Sequence, residues 1–450
     1  MADPLASVII LGWGGEPYIK TCLQALQGQT YPALETIIVD NHSPDRTAEI
    51  VEQGFPDVQL IRTDRNLGVA GGNNLGLQAA QGDICVLINA DVEPHPDWME
   101  NLVRTIQSDP TIGIAGAKLL YPDGTIQFAG GRIEGPRGYT YHIGWHEPDE
   151  GQWDIPGDVD FITGASLAIT RQALDEIGNE DEKFFPIDYE DPDMSYRARA
   201  KGYRVVLVPQ AVAIHHESST SRATEISRVL PLEAGRVRFV CKHWPADRLR
   251  EEFLPGEIDF LHKGPSLNRQ VLRWVYLKTL HDIDNLVEWR AQLGVGSKTE
   301  SETLLAEMLN LLRHTWYAEA GPPTLGKIDE ILSTWFAPQP PSGSIDTRTK
   351  LDSQNLLLTL CRLDGHVEPH QPIAWPEWPP GLWAKFRALF QKTTRRLLRW
   401  YIDPIVAQQN EINAALLYAL ESLAQEVALL QDQQADGMTG DQPNSAHQGP

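Results

Sequence analysis

A parallel α/β sheet followed by a mainly helical extension is the fold class this sequence predicts. Three observations carry that expectation. Four short apolar runs in the first 90 residues are separated by segments of helical spacing. Between about 110 and 230 strand-like runs continue, but the loops turn rich in Gly, Pro and acidic residues. Beyond about 230 the apolar residues recur mostly every three or four positions. Strand–helix–strand repetition buries both faces of a parallel sheet and implies right-handed crossovers.

The runs Val8–Leu11, Thr36–Val39, Val58–Arg62 and Ile84–Ile88 suit buried parallel strands. Tyr18, Cys22, Leu23 and Leu26 mark the first helix, and Ile50 and Val51 the second. Ser43-Pro44 reads as an N-cap followed by proline at the first helical position. A third, short helix is expected from Asn73 to Ala80, with further strands at Ile112–Ala115, Phe161–Ile169 and Val205–Val208. Helices are expected over 268–336, then proline-rich spacers at Pro338–Pro341 and Pro369–Pro380. The division that follows is a catalytic domain at 1–230, a helical extension at 231–382, amphipathic helices at 383–432 and a disordered polar tail at 433–450.

Composition narrows the function. With 42% hydrophobic and 22% charged residues the chain is ordinary globular protein, and 450 residues allow two or three domains. A formal charge of −23 argues against a nucleic-acid partner, which would demand a basic face. Cys22, Cys85, Cys241 and Cys361 lie far apart without a C-x-x-C spacing, so neither zinc nor a disulfide framework is expected. The N-terminus does not read as a signal peptide and no run approaches about 18 apolar residues, so a cytoplasmic location is expected.

In an open parallel sheet, ligands sit beyond the carboxyl ends of the strands. Those positions hold Gly12-Trp13-Gly14-Gly15, Asp40-Asn41-His42-Ser43 and Asn89-Ala90-Asp91, three polar or glycine-bearing turns on one rim. Singly, Asp40 and Asn41 could be turn formers and Ser43 a cap. No Gly-Lys-Ser/Thr follows Gly68–Gly72, which excludes a P-loop, and Gly12–Gly15 lacks the register of a dinucleotide fingerprint. His142 and His146 have an i, i+4 spacing, but Gly144 and Pro148 argue for a loop without metal.

The sequence resembles the family 2 glycosyltransferases of GT-A fold, in the rhamnosyltransferase-like subgroup. The segments that carry the resemblance lie in order within about 6–220. They are Ile38–Asp45, Asn66–Asn74, Leu87–Val92, Leu120–Gln127, Gly164-Ala165, Tyr189–Asp193, and Val208-Pro209 with His215-His216. The resemblance implies a Rossmann-like mixed sheet and a nucleotide-diphosphate sugar donor. It also implies a glycan or lipid-linked acceptor, transfer with inversion, and Mg²⁺ or Mn²⁺ as cofactor.

Roles follow by analogy. Asp40 would accept from the ring N–H of a uracil or thymine, and Trp13 would stack on that base. Asn41, Ser43, Gly72, Asn73 and Asn89 join them on the donor side. Asp91 would hold the cation with His215, whose bland reading is a histidine closing a strand. Asp191 would be the general base and Glu190, with Gly164, would position the acceptor. Hard divalent ions prefer oxygen ligands and neutralise a departing diphosphate. An aspartate of ordinary pKa near 4 suffices as base only if the hydroxyl becomes acidic late in an oxocarbenium-like transition state. The family usually has Thr-Tyr-Asn after the first strand where Gly12-Trp13-Gly14 stands here, which leaves the base and ribose contacts open.

Trp383–Tyr401 holds Lys385, Arg387, Lys392, Arg395, Arg396 and Arg399 with no acid. Such a helix either contacts an anionic membrane surface peripherally or packs on the acidic catalytic domain. The stripe Ile412, Leu416, Leu420, Leu423, Val427 and Leu430, within 405–430, offers a self-association seam. Two rivals to the enzymatic reading are a non-catalytic nucleotide-sugar or glycan-binding module of the same fold and a nucleotidyltransferase. The second needs a basic N-terminal loop, and Gly12–Pro17 contains no Lys or Arg.

Overall fold

The computed structural model describes residues 3–217 and 225–319, which belong to one unit ending at Ala320. The expectations for 383–401, 405–430 and the tail lie outside the described residues.

The chain opens as the apolar runs predict. β1 (Ala6–Gly12), α1 (Ile19–Gln27), β2 (Leu34–Asp40), α2 (Thr47–Gly54), β3 (Gln59–Arg62), α3 (Gly68–Ala79) and β4 (Ile84–Asn89) alternate. β1 lies between β2 and β4, parallel to both, and β2 pairs with β3 in parallel. Ile9, Ile10, Val86 and Leu87 are wholly buried, as expected of strands covered on both faces.

Two local expectations are corrected. α3 begins at Gly68, five residues before Asn73, because Gly68 takes φ +74° and turns the chain into the helix. Ser43 does not cap α2. The helix starts at Thr47, and it is Asp45 that accepts from the Thr47 amide at 3.1 Å. The glycines of α3 serve close packing: a Cβ on Gly72 would lie 2.3 Å from Leu11 Cδ1, and one on Gly76 2.2 Å from Ile9 Cγ2.

β5 (Val92–Pro94), α4 (Trp98–Ser108), β6 (Ile112–Leu120), β7 (Ile126–Phe128), β8 (Gly131–Glu134), β9 (Tyr139–His142), β10 (Gly157–Asp158) and β11 (Ser166–Thr170) follow. Then come α5 (Arg171–Ile177), α6 (Glu190–Ala200) and β12 (Arg204–His215). The main sheet is ordered β10-β12-β6-β11-β4-β1-β2-β3, with β5 on β12 and β7 on β6. β11 is antiparallel to both β4 and β6, so the sheet is mixed, as the resemblance implied. β11 starts at Ser166 rather than Phe161. β12 runs seven residues past Val208 because a register shift between Val208 and Val212 accommodates Pro209, which has no N–H to donate.

Helices complete the described unit: α7 (Glu225–His243), α8 (Ala246–Arg248), a π turn at Leu249–Phe253, α9 (Leu254–Lys263), α10 (Ser266–His281), α11 (Ile283–Gln292) and α12 (Lys298–Glu319). They are joined to the sheet domain by buried ion networks. Arg137, in the β8–β9 turn, and Arg236 of α7 share Glu233 and Glu257. Asp181 accepts from Arg238 at 2.7 Å and Lys242 at 2.9 Å. Removing one partner of such a pair strands a charge, so these networks bind the helices to the sheet domain. No helix among the described residues is long and apolar enough to cross a membrane.

Candidate active site

β1, β2, β3, β4, β6 and β12 point the same way, and their carboxyl ends form one rim. At the β2 end, Asp40 is buried and its Oδ1 accepts from the Ser43 amide at 3.2 Å. Ser43 Oγ lies 3.3 Å from the Gly12 carbonyl. Asn41 is spent on the neighbouring loop: its Nδ2 donates to Gly68 O at 2.9 Å and its Oδ1 accepts from the Leu67 amide at 2.8 Å. Asn73 turns inward, donating to Glu180 Oε2 at 3.0 Å. Gly72 packs against Leu11 and Asn41 as described. Asn41, Gly72 and Asn73 thus shape the rim from beneath, whereas Trp13 stands on it, 49% exposed.

At the end of β4, Asp91 Oδ1 lies 3.2 Å from His215 Nε2, and the Asp91 carbonyl accepts from the His216 amide at 3.0 Å. His215 ends β12 opposite Val92, so strand pairing rather than chain proximity brings the two together. Asn89 Nδ2 is 3.4 Å from the same imidazole nitrogen. The other ring nitrogen, Nδ1, is 2.7 Å from Gln127 Oε1, and Gln127 Nε2 donates to Glu217 Oε2 at 3.0 Å.

This arrangement fixes a tautomer. Glu217 takes the amide nitrogen of Gln127, so the amide oxygen faces His215 and Nδ1 carries the proton. Nε2 faces a carboxylate oxygen at 3.2 Å with Asn89 Nδ2 beside it, a contact that a proton or a cation can bridge. A histidine whose far nitrogen is held by a polar partner is the usual disposition of a metal ligand. Among the described residues no group of three His, Cys, Asp or Glu surrounds one point. A two-residue set suits Mg²⁺ or Mn²⁺, which keep water and take oxygen ligands from phosphates. His142 and His146 do not converge. His142 packs edge-on against Phe128 and His146 stacks on Tyr121.

Asp191 is the second residue of α6, which the chain enters from a left-handed turn at Tyr189 (φ +74°). Its Oδ2 accepts from the Gly164 amide at 2.8 Å. The β4–β11 register sets Ser166 opposite Ile88, so two residues further on each strand Gly164 falls level with Ala90. The Asp191 carboxylate and the Asp91–His215 pair therefore occupy the same rim, on adjacent strands. Burial raises Asp191 to a pKa of about 6 against the lowering effect of the Gly164 amide and the Thr163 side chain. Glu190 is buried with Oε2 unpartnered, and burial together with the Asp191 charge pushes it well up. Burial also raises Glu180 to about 8 and Asp188 to about 7.

Asp193, from the same motif, has a different duty. It is wholly buried and receives Arg197 at 2.9 Å, Lys242 at 2.8 Å and His243 at 2.7 Å. Burial opposes its charge, yet Lys242 and Arg197 hold it well below the usual range. It anchors α6 to α7 and so steadies Asp191. Sequence reasoning missed Gln127 and Glu217 as site residues, although the Leu120–Gln127 segment contains the first and His215-His216 adjoin the second. A cavity of about 380 Å³ lined by Arg132, Asp158, Asp160, Arg199 and Arg204 opens where β12 begins, at the opposite edge. Ion pairs Arg199–Asp160 and Arg204–Asp158 already neutralise four of these five charges.

With this geometry in view, comparison with known proteins is informative. The family model described as Glycosyl transferase family 2 matches residues 7–178. Over that segment the chain is similar to the family 2 glycosyltransferases. That match spans β1 through α5 and so includes Asp40 and Asp91 but stops short of Asp191 and His215. A relative named O-antigen biosynthesis protein RfbC, from Myxococcus xanthus, is 31% identical over 50% of this chain and only 18% of its own length. An N-acetylglucosaminyl-diphospho-decaprenol L-rhamnosyltransferase from Mycobacterium tuberculosis is 26% identical over 49% of this chain and 79% of its own. Among solved structures, GalNAc-T7 with UDP, GalNAc and Mn²⁺ aligns with a TM-score of 0.48 at 18% identity, over 68% of this chain and 57% of that one. The chain spans less than half the length of the first of these curated relatives.

Proposed function

We propose that this chain is an inverting glycosyltransferase that moves a sugar from a nucleotide-diphosphate donor, UDP- or dTDP-linked, to a hydroxyl of a glycan or lipid-linked acceptor in surface-polysaccharide or glycolipid assembly. The observation that carries the reading is the pairing of Asp91–His215 with Asp191 on one rim, across adjacent strands. The rhamnosyltransferase-like reading of the motifs agrees with the named activity of one relative.

Asp91 and His215 would hold Mg²⁺ or Mn²⁺, which when bound neutralises charge on the departing diphosphate. Asp40 and Trp13 receive the base at the β2 and β1 ends. Asp191 takes the acceptor proton as the hydroxyl oxygen bonds to the anomeric carbon and the carbon–diphosphate bond breaks. Its pKa of about 6, raised by burial, makes it a stronger base than a solvated aspartate while leaving it ionised at neutral pH. Glu190, unpartnered beside it, offers an oxygen to hold that hydroxyl or its neighbour.

The test is a screen of UDP-, dTDP- and GDP-sugars for nucleoside diphosphate release dependent on Mg²⁺ or Mn²⁺. Release expected from one donor class, lost in Asp91→Asn, supports the reading. Release of pyrophosphate from a nucleoside triphosphate would make the chain a nucleotidyltransferase, and donor binding without turnover would leave only a binding module.

A further inference from the structure

Immediately beyond β6 the rim carries an aromatic group that the reading above does not use. Trp145 is 57% exposed, the most exposed tryptophan among the described large apolar side chains. It is nonetheless oriented. Its indole N–H donates to Tyr121 Oη at 3.0 Å, and its ring lies 4.6 Å from His146. Tyr121 and His146 are stacked at 4.9 Å with planes 9° apart. The turn that presents them holds left-handed backbone at Gly144 (φ +76°) and His146 (φ +61°), and it is clamped to β7 by hydrogen bonds between His146, Glu147 and Ile126.

The group borders the rim. Tyr121 lies close enough to Glu217 to feel its charge, and Glu217 accepts from Gln127, which holds His215. Position along the sheet completes the case. Reading across the rim, Asp40 is at β2, Trp13 at β1, Asp91 at β4, the Gly164–Asp191 contact at β11 and Tyr121 at β6. The base side, at β2 and β1, and the aromatic group, at β6 beside His215 of β12, thus lie on opposite sides of the Gly164–Asp191 contact.

We propose that Trp145, seated on Tyr121 and His146, is a platform for a pyranose ring of the acceptor. A sugar presents one C–H-rich face and a perimeter of hydroxyls. An indole whose N–H is already satisfied leaves its apolar face for the first, and the polar turn around it serves the second. The platform's side of Asp191, opposite the base, assigns the ring to acceptor rather than donor. This assignment rests on the glycosyltransferase reading for the word acceptor, but the binding itself can be measured without turnover.

The experiment titrates the full chain, without donor, with methyl glycosides of glucose, galactose, mannose, N-acetylglucosamine and rhamnose up to about 20 mM. Tryptophan fluorescence and saturation-transfer NMR are the readouts. At least one glycoside is expected to bind, with affinity falling about tenfold in Trp145→Ala and largely restored in Trp145→Tyr. In transfer assays Trp145→Ala is expected to raise the acceptor KM about tenfold with the donor KM moved less than twofold. Binding of none of the five, or equal binding by wild type and Trp145→Ala, overturns the platform. A rise in donor KM instead moves the ring to the donor side and equally overturns it. Sugar binding that depends on Trp145 in a chain that turns over no donor would sustain the platform while sinking the enzymatic reading.

Discussion

Replacing Asp191 by Asn separates a catalytic carboxylate from a structural one, because the two roles predict opposite changes in stability. Asn keeps an oxygen to accept the Gly164 amide at 2.8 Å and removes only the charge. Burial holds the Asp191 carboxyl at a pKa of about 6 against an unfolded value of 3.8. A folded-state pKa raised above the unfolded one means that the native protein binds the proton more tightly. The penalty of keeping the group ionised is therefore absent below about pH 4, grows through pH 6 and is full above it. A gap of about two pKa units corresponds to about 3 kcal/mol, which we discount to about 2 because one edge of the half-buried side chain meets water. Asp191→Asn is thus expected to raise Tm at pH 8 by about 5 °C and to leave it unchanged near pH 4. Transfer should fall by about 10²- to 10⁴-fold, the usual worth of a general base, with donor affinity held within about twofold. The assays are thermal unfolding at the two pH values, nucleoside diphosphate release, and calorimetric titration with donor. Wild-type transfer should also lose activity below about pH 6 as one proton binds. A variant less stable at pH 8, or one that retains more than about a tenth of wild-type transfer, refutes the assignment; loss of donor affinity would instead place Asp191 in the donor site.

Other predictions probe the supports of the site. Gln127→Ala frees His215 Nδ1 from its partner and is expected to weaken Mn²⁺ binding about tenfold, read by electron paramagnetic resonance with nucleoside diphosphate present. Gly76→Ala drives a Cβ to 2.2 Å from Ile9 Cγ2 and should cost about 1–3 kcal/mol in denaturant unfolding, since α3 must lift from β1. Lys242→Met strands the buried charges of Asp181 and Asp193 and should cost about 3–5 kcal/mol, with transfer falling only as the fold loosens. Burial raises Glu180 to about 8 and Asp188 to about 7, so the native state holds protons that the unfolded chain has released. Stability of the wild-type protein should accordingly decline from pH 5 to pH 8, and a Tm that rises over that window would contradict the buried acids.

The frame and the β1, β2 and β4 ends of the rim were legible because each is written in local sequence. Apolar runs of four to six residues become β1 to β4 wherever both faces are covered, and the turns at their ends must then share an edge. Asp40 and Asp91 follow from that logic alone. The parts that stayed hidden depend on partners far along the chain. Pro209 looked like the end of a strand, but a register shift lets β12 run on to His215 and pair with β5. The close packing of Gly72 on Leu11 and of Gly76 on Ile9 is likewise revealed only by the distances between α3 and the sheet.

By itself the sequence determined the order of elements, the parallel frame and the residue types that carry charge at its rim, because periodicity and turn chemistry act over a few residues. Only the tertiary structure decided which of those residues meet. Antiparallel β11 brings Gly164, and with it Asp191, beside the end of β4. The Glu217–Gln127–His215 chain sets a tautomer, and burial lifts a cluster of carboxyls whose charges no local pattern could foretell. The physical reason is that pKa, tautomer and contact depend on what excludes water from a group, and in this chain those neighbours lie 27 to 90 residues apart in sequence.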